Sequence, residues 1–141
     1  MTDPVRLLLD AHQRAWDARD AEALTRGHHE DGVIVSPIFR TVRGRPAILQ
    51  SYQGLFAIFP DWQYQPRQAV IEATRVAQPF VVQATHAGNF MGLSGTGRRV
   101  EIEGVCLFEL NDGLIAHERR YYDFTGMLIQ LGVLRAKPVE P

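Results

Sequence analysis

The apolar residues of this chain change period once, near Trp62, and that change decides most of what the chain can fold into. Before it they recur at three-four spacing, as on a helix with one buried stripe. Asp3 to Arg19 reads as a helix, with Val5, Leu8, Leu9, His12, Trp16 and Arg19 on one side, Asp3 as N-cap and Pro4 in the first turn. A short helix over Asp20 to Thr25 and a β-branched run, Val33 to Val35, closed by Pro37, come next. Arg45 to Phe59 is the best-punctuated helix: Ile48, Leu49, Tyr52, Leu55, Phe56 and Phe59 form its stripe, with Pro46 near the start and Pro60 past the end.

From Trp62 onward the period is two. Trp62–Ala73, Phe80–Phe90, Arg99–Leu110 and Leu114–Asp123 read as strands joined in consecutive hairpins, with breaks at Ala77–Pro79, Gly92–Gly97 and Asn111–Gly113. Phe124 to Leu134 closes the sequence as a helix with Phe124, Met127, Leu128, Leu131 and Leu134 as its stripe. Helices first and a strand meander afterwards give an α+β order with nothing to call for a parallel sheet. Gly88 and Gly104 let the long strands bend, and a curled antiparallel sheet wrapped around the N-terminal helices leaves a concave face that the helices fill only in part. An internal apolar pocket for a small organic ligand is the expectation. Residues 1–134 read as one domain and 135–141, rich in proline and charge, as a loose tail.

Fifteen Lys and Arg against sixteen Asp and Glu, scattered along the chain, argue against a nucleic-acid partner. The one cysteine, Cys106, lies in the apolar run Gly104–Phe108 and reads as an inert buried thiol. An acidic residue at position 3 does not suit a signal peptide, and no apolar run approaches the ~20 residues of a membrane span, so the expected location is the cytoplasm, without membrane contact. The five histidines show no metal-ligand spacing, His28 and His29 being adjacent and divergent, and the glycines of the Gly92–Gly97 loop are not in dinucleotide-binding order. Neither metal nor cofactor is expected.

Ala84-Thr-His-Ala-Gly-Asn-Phe-Met-Gly92, Thr96-Gly-Arg98, Asp112-Gly-Leu-Ile115 and Tyr122-Asp-Phe-Thr-Gly-Met-Leu-Ile-Gln-Leu-Gly-Val-Leu134, taken as an ordered set, resemble the SnoaL-like polyketide cyclases of the nuclear-transport-factor-2-like superfamily. The first half resembles them in element order and in Arg43-Gly-Arg-Pro-Ala-Ile48. The resemblance implies a cone-shaped α+β barrel, often a homodimer through the outer sheet face, without metal or organic cofactor. It further implies aldol cyclisation of a polyketide-like carbonyl compound, with Asp123 as acid/base and His86 as a pocket histidine. The sequence departs from the family at His28-His29 and at Leu114, where lysine is usual.

Read from the residues, Asp123 is equally placed to cap the helix that starts at Phe124. His86 is in phase with Phe80, Val82, Ala84 and Phe90, which suits a core histidine as well as a catalyst. Strict alternation puts Ile115, His117, Arg119, Tyr121 and Asp123 on one face of the last strand, so a pocket-facing Asp123 brings Tyr121 and Arg119 to the substrate, unless Arg119 pairs with Glu101 or Glu103. Ala116, Glu118, Arg120 and Tyr122 then fall on the opposite face, where they suggest a homodimer contact. Trp16, Tyr52 and Phe56 are candidate aromatic walls. Three functions fit: a cyclase or isomerase using enolate chemistry, an epoxide hydrolase of the limonene-epoxide type drawing on Arg119 and Asp123, or a non-catalytic binder.

Overall fold

The computed structural model describes residues 3–140; Met1, Thr2 and Pro141, the end of the expected tail, lie outside it. Helix α1 (Pro4–Ala18) starts where Asp3 accepts a hydrogen bond from the Val5 backbone N–H (3.0 Å), and α2 (Ala21–Arg26) is capped by Asp20 in the same manner. Strand β1 (His28–Ser36) turns back into β2 (Arg40–Arg43), and α3 (Arg45–Ile58) opens after Gly44, whose φ of 81° suits glycine alone. Strands β3 (Gln63–Pro66), β4 (Val70–Glu72), β5 (Arg75–Thr85), β6 (Arg99–Asn111) and β7 (Leu114–Tyr122) follow, and α4 (Phe124–Leu131) comes last.

The strands make a curved, unclosed sheet in the order β2-β1-β7-β6-β5-β3, with β4 also on β5. The meander β5-β6-β7 is antiparallel, as its alternation predicts. One pairing departs from expectation: β1 lies parallel to β7, because the chain carries α3 and the whole meander between them and returns to the same edge. The proposed break at Ala77–Pro79 is also absent. Pro79 sits inside β5, at the gap where pairing passes from β4 (Val70 opposite Ala77) to β3 (Pro66 opposite Phe80), so no ladder bond is lost. Strand β5 stops at Thr85 and does not reach Phe90, since the Ala87 and Gly88 N–H groups both donate to the Ile58 carbonyl at the end of α3.

The helices lie against the concave face, where Trp16, Ile48, Tyr52, Leu55 and Phe59 meet Phe80, Val82, Ile102 and Phe108. Gly104 occupies an inward position of β6 between Phe80 and Tyr122, and a Cβ there would come within 2.2 Å of the Tyr121 carbonyl oxygen and 2.9 Å of the Phe80 ring. The missing side chain lets the Phe80 ring and the β7 backbone close in on β6, which seats Phe80 and Tyr122 at the wall of the interior site. No helix among the described residues is long and apolar enough to cross a membrane.

Candidate functional site

The chemistry of the interior is set by a one-residue irregularity in β7. Glu109 pairs with His117 but the next residue, Leu110, pairs with Ile115, so Ala116 is an extra residue bulged out of the ladder. A bulge exchanges the faces of everything beyond it. Ile115 points inward, and after the bulge so do Glu118, Arg120 and Tyr122, while Arg119, Tyr121 and Asp123 are exposed. The expected assignment of the two faces is therefore reversed.

Inside, the Glu118 carboxylate, 1% exposed, pairs with the Arg120 guanidinium through Oε2 and Nε. Arg120 Nη2 donates to the Tyr52 hydroxyl oxygen at 3.3 Å, and that hydroxyl lies 2.7 Å from His28 Nε2. Because Arg120 can only donate, the tyrosine proton is best used toward His28 Nε2, which leaves the imidazole proton on Nδ1. Arg45 holds His28 from behind, donating through Nε and Nη2 to its backbone carbonyl at 2.9 and 2.8 Å. His12 stands edge-on to both His28 and Trp16, and the Arg120 guanidinium carbon lies 5.9 Å from the Trp16 ring centre and 5.4 Å from that of Tyr52.

Burial, then neighbouring charge, sets the protonation states. His12 is pushed down to about 3 by burial and by His28, and His28 to about 3 by burial and by the Arg120 and Arg45 charges, so both rings are neutral near pH 7. Burial by itself works against the charge on Arg120, and the Glu118 carboxylate more than restores it. Burial and Glu118 push the Tyr52 hydroxyl well above the usual tyrosine range, and burial chiefly raises the Cys106 thiol, which keeps that sulfur protonated.

Arg120 is also part of a pocket wall. Trp16, Leu55, Trp62, Tyr64, Phe80, Ile102 and Tyr122 line a small cavity of about 20 Å³ together with Ser36, Ile38 and Phe39 from the β1–β2 turn, and Arg120 is the only ionic group among them. The rings of Trp16, Tyr64 and Phe80 form a ladder, with centres 4.8 Å apart at 16° and 5.4 Å apart at 24°.

The residues proposed from the sequence divide between the two faces. Trp16 lines the pocket, Tyr52 belongs to the buried network, and Phe56 stands edge-on behind Trp16 at 6.0 Å. Asp123 is not in the pocket: it is exposed, and its Oδ1 accepts from the Gly126 N–H (2.9 Å), so of its two readings the structure shows the cap of α4. Tyr121 and Arg119 line an outer groove with Leu107 and Glu109 instead of the interior, and Arg119 makes no ion pair among the described residues. His86 is fully buried and does not line the aromatic pocket: its Nδ1 meets the Thr96 hydroxyl at 3.0 Å, its Nε2 has no partner among the described residues, and Phe59 packs alongside. Glu118, Arg120 and Tyr122 cannot form the outer dimer contact expected of them.

Sequence reasoning missed Glu118, Arg120, His12 and His28 as one group. The histidines lack ligand spacing along the chain, yet the parallel β1–β7 pair and α1 bring one ligand atom each of His12, His28 and Glu118 within 4.8 Å of one another. Glu118 is committed to Arg120, and a guanidinium in contact with the carboxylate suits a dication poorly. The available signal was a charge on both phases of β7, which no amphipathic alternation explains.

The profile of the SnoaL-like polyketide cyclase family matches residues 6–131. No curated protein matches the chain. Among solved structures it is similar to AclR from Streptomyces galilaeus, a proposed hydroxylase, at 28% identity and TM-score 0.80, covering 94% of this chain and 87% of that one. IdmH from Streptomyces antibioticus, a proposed polyketide cyclase, is 27% identical with TM-score 0.76 over 93% of this chain and 99% of that one. TerC, co-crystallised with polyporic acid, shares the fold at 18% identity and TM-score 0.79 over 92% of this chain and 98% of that one.

Proposed function

The chain belongs to the SnoaL-like polyketide cyclase family, and on that premise we propose that it is an enzyme performing cofactor-independent acid/base chemistry, aldol cyclisation or isomerisation, on a flat apolar carbonyl compound. The observation that carries this reading is Arg120 at the wall of an otherwise apolar aromatic pocket, paired behind that wall with the buried Glu118 carboxylate, whose Oε1 has no hydrogen-bond partner among the described residues. Glu118 takes a proton from the carbon next to the ligand carbonyl. The C–H electrons move into the C=C bond of an enolate, and the negative charge reaches the oxygen facing Arg120. The carboxylate becomes neutral as the ligand becomes an anion, so the number of buried charges does not change, which keeps the step inexpensive where solvent is absent. In cyclisation the enolate carbon then bonds to a second carbonyl carbon, and Glu118 returns its proton to the new alkoxide. In isomerisation the proton returns to a different carbon. The Tyr52 hydroxyl, itself bonded to His28, accepts from the guanidinium and holds it in place.

Deuterium exchange tests the proton-abstraction step without the native substrate. With 1-tetralone in D2O and no cofactor added, the protein is expected to speed exchange at the carbon next to the carbonyl, and Glu118→Gln is expected to remove that acceleration while 1-tetralone still binds. Exchange that is indifferent to Glu118→Gln overturns the assignment, and binding without exchange by the unaltered protein favours a non-catalytic binder. The epoxide-hydrolase alternative has less support, since Arg119 and Asp123, which it would use, stand outside the pocket. For self-association we propose the outer sheet face, where Leu107 and Tyr121 are 43% and 49% exposed.

A further inference from the structure

Two tryptophans are present in the sequence and both line the pocket. They are unequal. Trp62 is 6% exposed, and its indole Nε1 is a buried donor with no hydrogen-bond partner among the described residues. Its backbone is tied at both ends: its N–H donates to the Phe59 carbonyl at 3.1 Å, and its carbonyl accepts from Arg19 Nε at 3.0 Å. These bonds fix the Trp62 backbone beside the cavity. Folded proteins rarely leave a buried N–H unpaired, and an exception next to a cavity points to a partner that arrives from outside. The cavity of about 20 Å³ has room for an atom or two beside it.

We infer that Trp62 determines specificity: its indole N–H is a second anchor for a ligand oxygen, complementing Arg120 in the pocket proposed above. This rests on that pocket being the ligand site. Arg120 and the indole are both donors without acceptor capacity, and Arg120 Nη1 makes no hydrogen bond among the described residues. The two donors thus call for a ligand that brings an acceptor oxygen to each of them, such as a quinone or an enolised dicarbonyl with one oxygen entering the cavity. A ligand with one oxygen leaves one donor unpaired. Such a site rejects the analogue that lacks the group more strongly than an apolar wall rejects a change of size.

The test compares 2-hydroxy-1,4-naphthoquinone, with oxygens on opposite edges, and 2-naphthol, with one, by calorimetric titration of the full chain. Trp62→Phe is expected to weaken the naphthoquinone, an anion near neutral pH, about ten- to a hundredfold, the range of a hydrogen bond to a charged group, and to leave 2-naphthol within twofold. Arg120→Met weakens both. Equal effects of Trp62→Phe on the two probes, or none on either, make Trp62 a plain wall and overturn the inference while leaving the pocket intact. Failure of both probes to bind the unaltered protein overturns the pocket reading and this inference with it. If Trp62→Phe does not fold, the indole N–H resonances of the unaltered protein answer instead. The Trp62 signal must shift with the naphthoquinone and stay with 2-naphthol; the opposite pattern overturns the inference.

Discussion

The two faces of β7 carry nearly the same chemistry. Inward stand a carboxylate, a guanidinium and a phenol in Glu118, Arg120 and Tyr122; outward stand Arg119 and Tyr121, with Asp123 just past the strand end. Their environments differ in every respect. The inner carboxylate and guanidinium are paired and tied onward to Tyr52 and His28, whereas Arg119 has no ion-pair partner among the described residues and Asp123 serves its own helix. Residue type alone thus says little about role, and one bulged residue decides which set faces the interior.

The largest expected effect sharpens this contrast through pH. His12 and His28 titrate at about 3 in the folded protein against an ordinary 6.5. Their folded pKa is depressed, so their contribution is fully present above 6.5 and is lost as pH falls toward 3, because the unfolded chain binds protons that the folded one refuses. In that window the slope approaches two protons, about 2.7 kcal/mol per pH unit. Summed over the window, such a slope removes up to about 9 kcal/mol, comparable with the whole stability of a typical domain, about 5–15 kcal/mol. Urea unfolding at pH 7, 6, 5 and 4 reads it directly, and His12→Gln is expected to remove about one proton from the slope. A slope below one proton would mean that the interior is wetter than the buried network implies.

Next in size, Arg120→Met leaves the Glu118 carboxylate buried without its partner. A loss of about 3–5 kcal/mol is expected, and the Glu118→Gln/Arg120→Met double variant is expected to recover most of it, since the cost lies in the orphaned charge. Denaturant midpoints for both single variants and the double one decide this. Equal stability of the Arg120→Met protein and its parent would place Glu118 in contact with water.

Much of the frame was legible because local signals agreed with the fold. Asp3 and Pro4 start α1, Gly44 and Pro46 start α3, and the even-numbered residues of β6 from Val100 to Leu110 face inward, with Gly104 as the gap. The site was less legible for two physical reasons. Ala116 is small and leaves no mark in the sequence when it bulges, so the alternation of β7 could be phased only from Ile115 onward, and that phase is wrong after one step. The second reason is long-range: His28 becomes part of the network because β1 lies parallel to β7, a pairing that local pattern does not encode. Asp123 had two readings in the sequence, and only the orientation of its carboxylate separates them.

A smaller effect separates the two carboxylates. Asp123→Ala removes the bond to Gly126 N–H and is expected to cost about 1 kcal/mol, while Asp123→Asn, which still caps, costs a few tenths or less. Neither is expected to alter deuterium exchange into 1-tetralone. Thermal unfolding with an exchange measurement on the same samples is sufficient. Loss of exchange in a stable Asp123→Asn protein would return the acid/base role to the outer face and break the comparison.

The smallest effect on stability belongs to Tyr121 and Leu107, exposed on the outer face beside Arg119. Their side chains have little to lose on unfolding that solvent does not already supply, so Leu107→Ser and Tyr121→Ser are each expected to change stability by less than about 0.5 kcal/mol. Association is a different matter. A half-exposed leucine and tyrosine flanked by Arg119 and Glu109 form an apolar centre with charge at its edge, the arrangement by which one patch meets its own copy across a two-fold axis. Sedimentation at micromolar concentration is expected to show a dimer for the unaltered protein and a shift toward monomer for Leu107→Ser/Tyr121→Ser at unchanged unfolding temperature. A monomer in both samples would remove the self-association proposal. A dimer that ignores both substitutions would move the contact to another surface and leave the outer face of β7 without a role of its own.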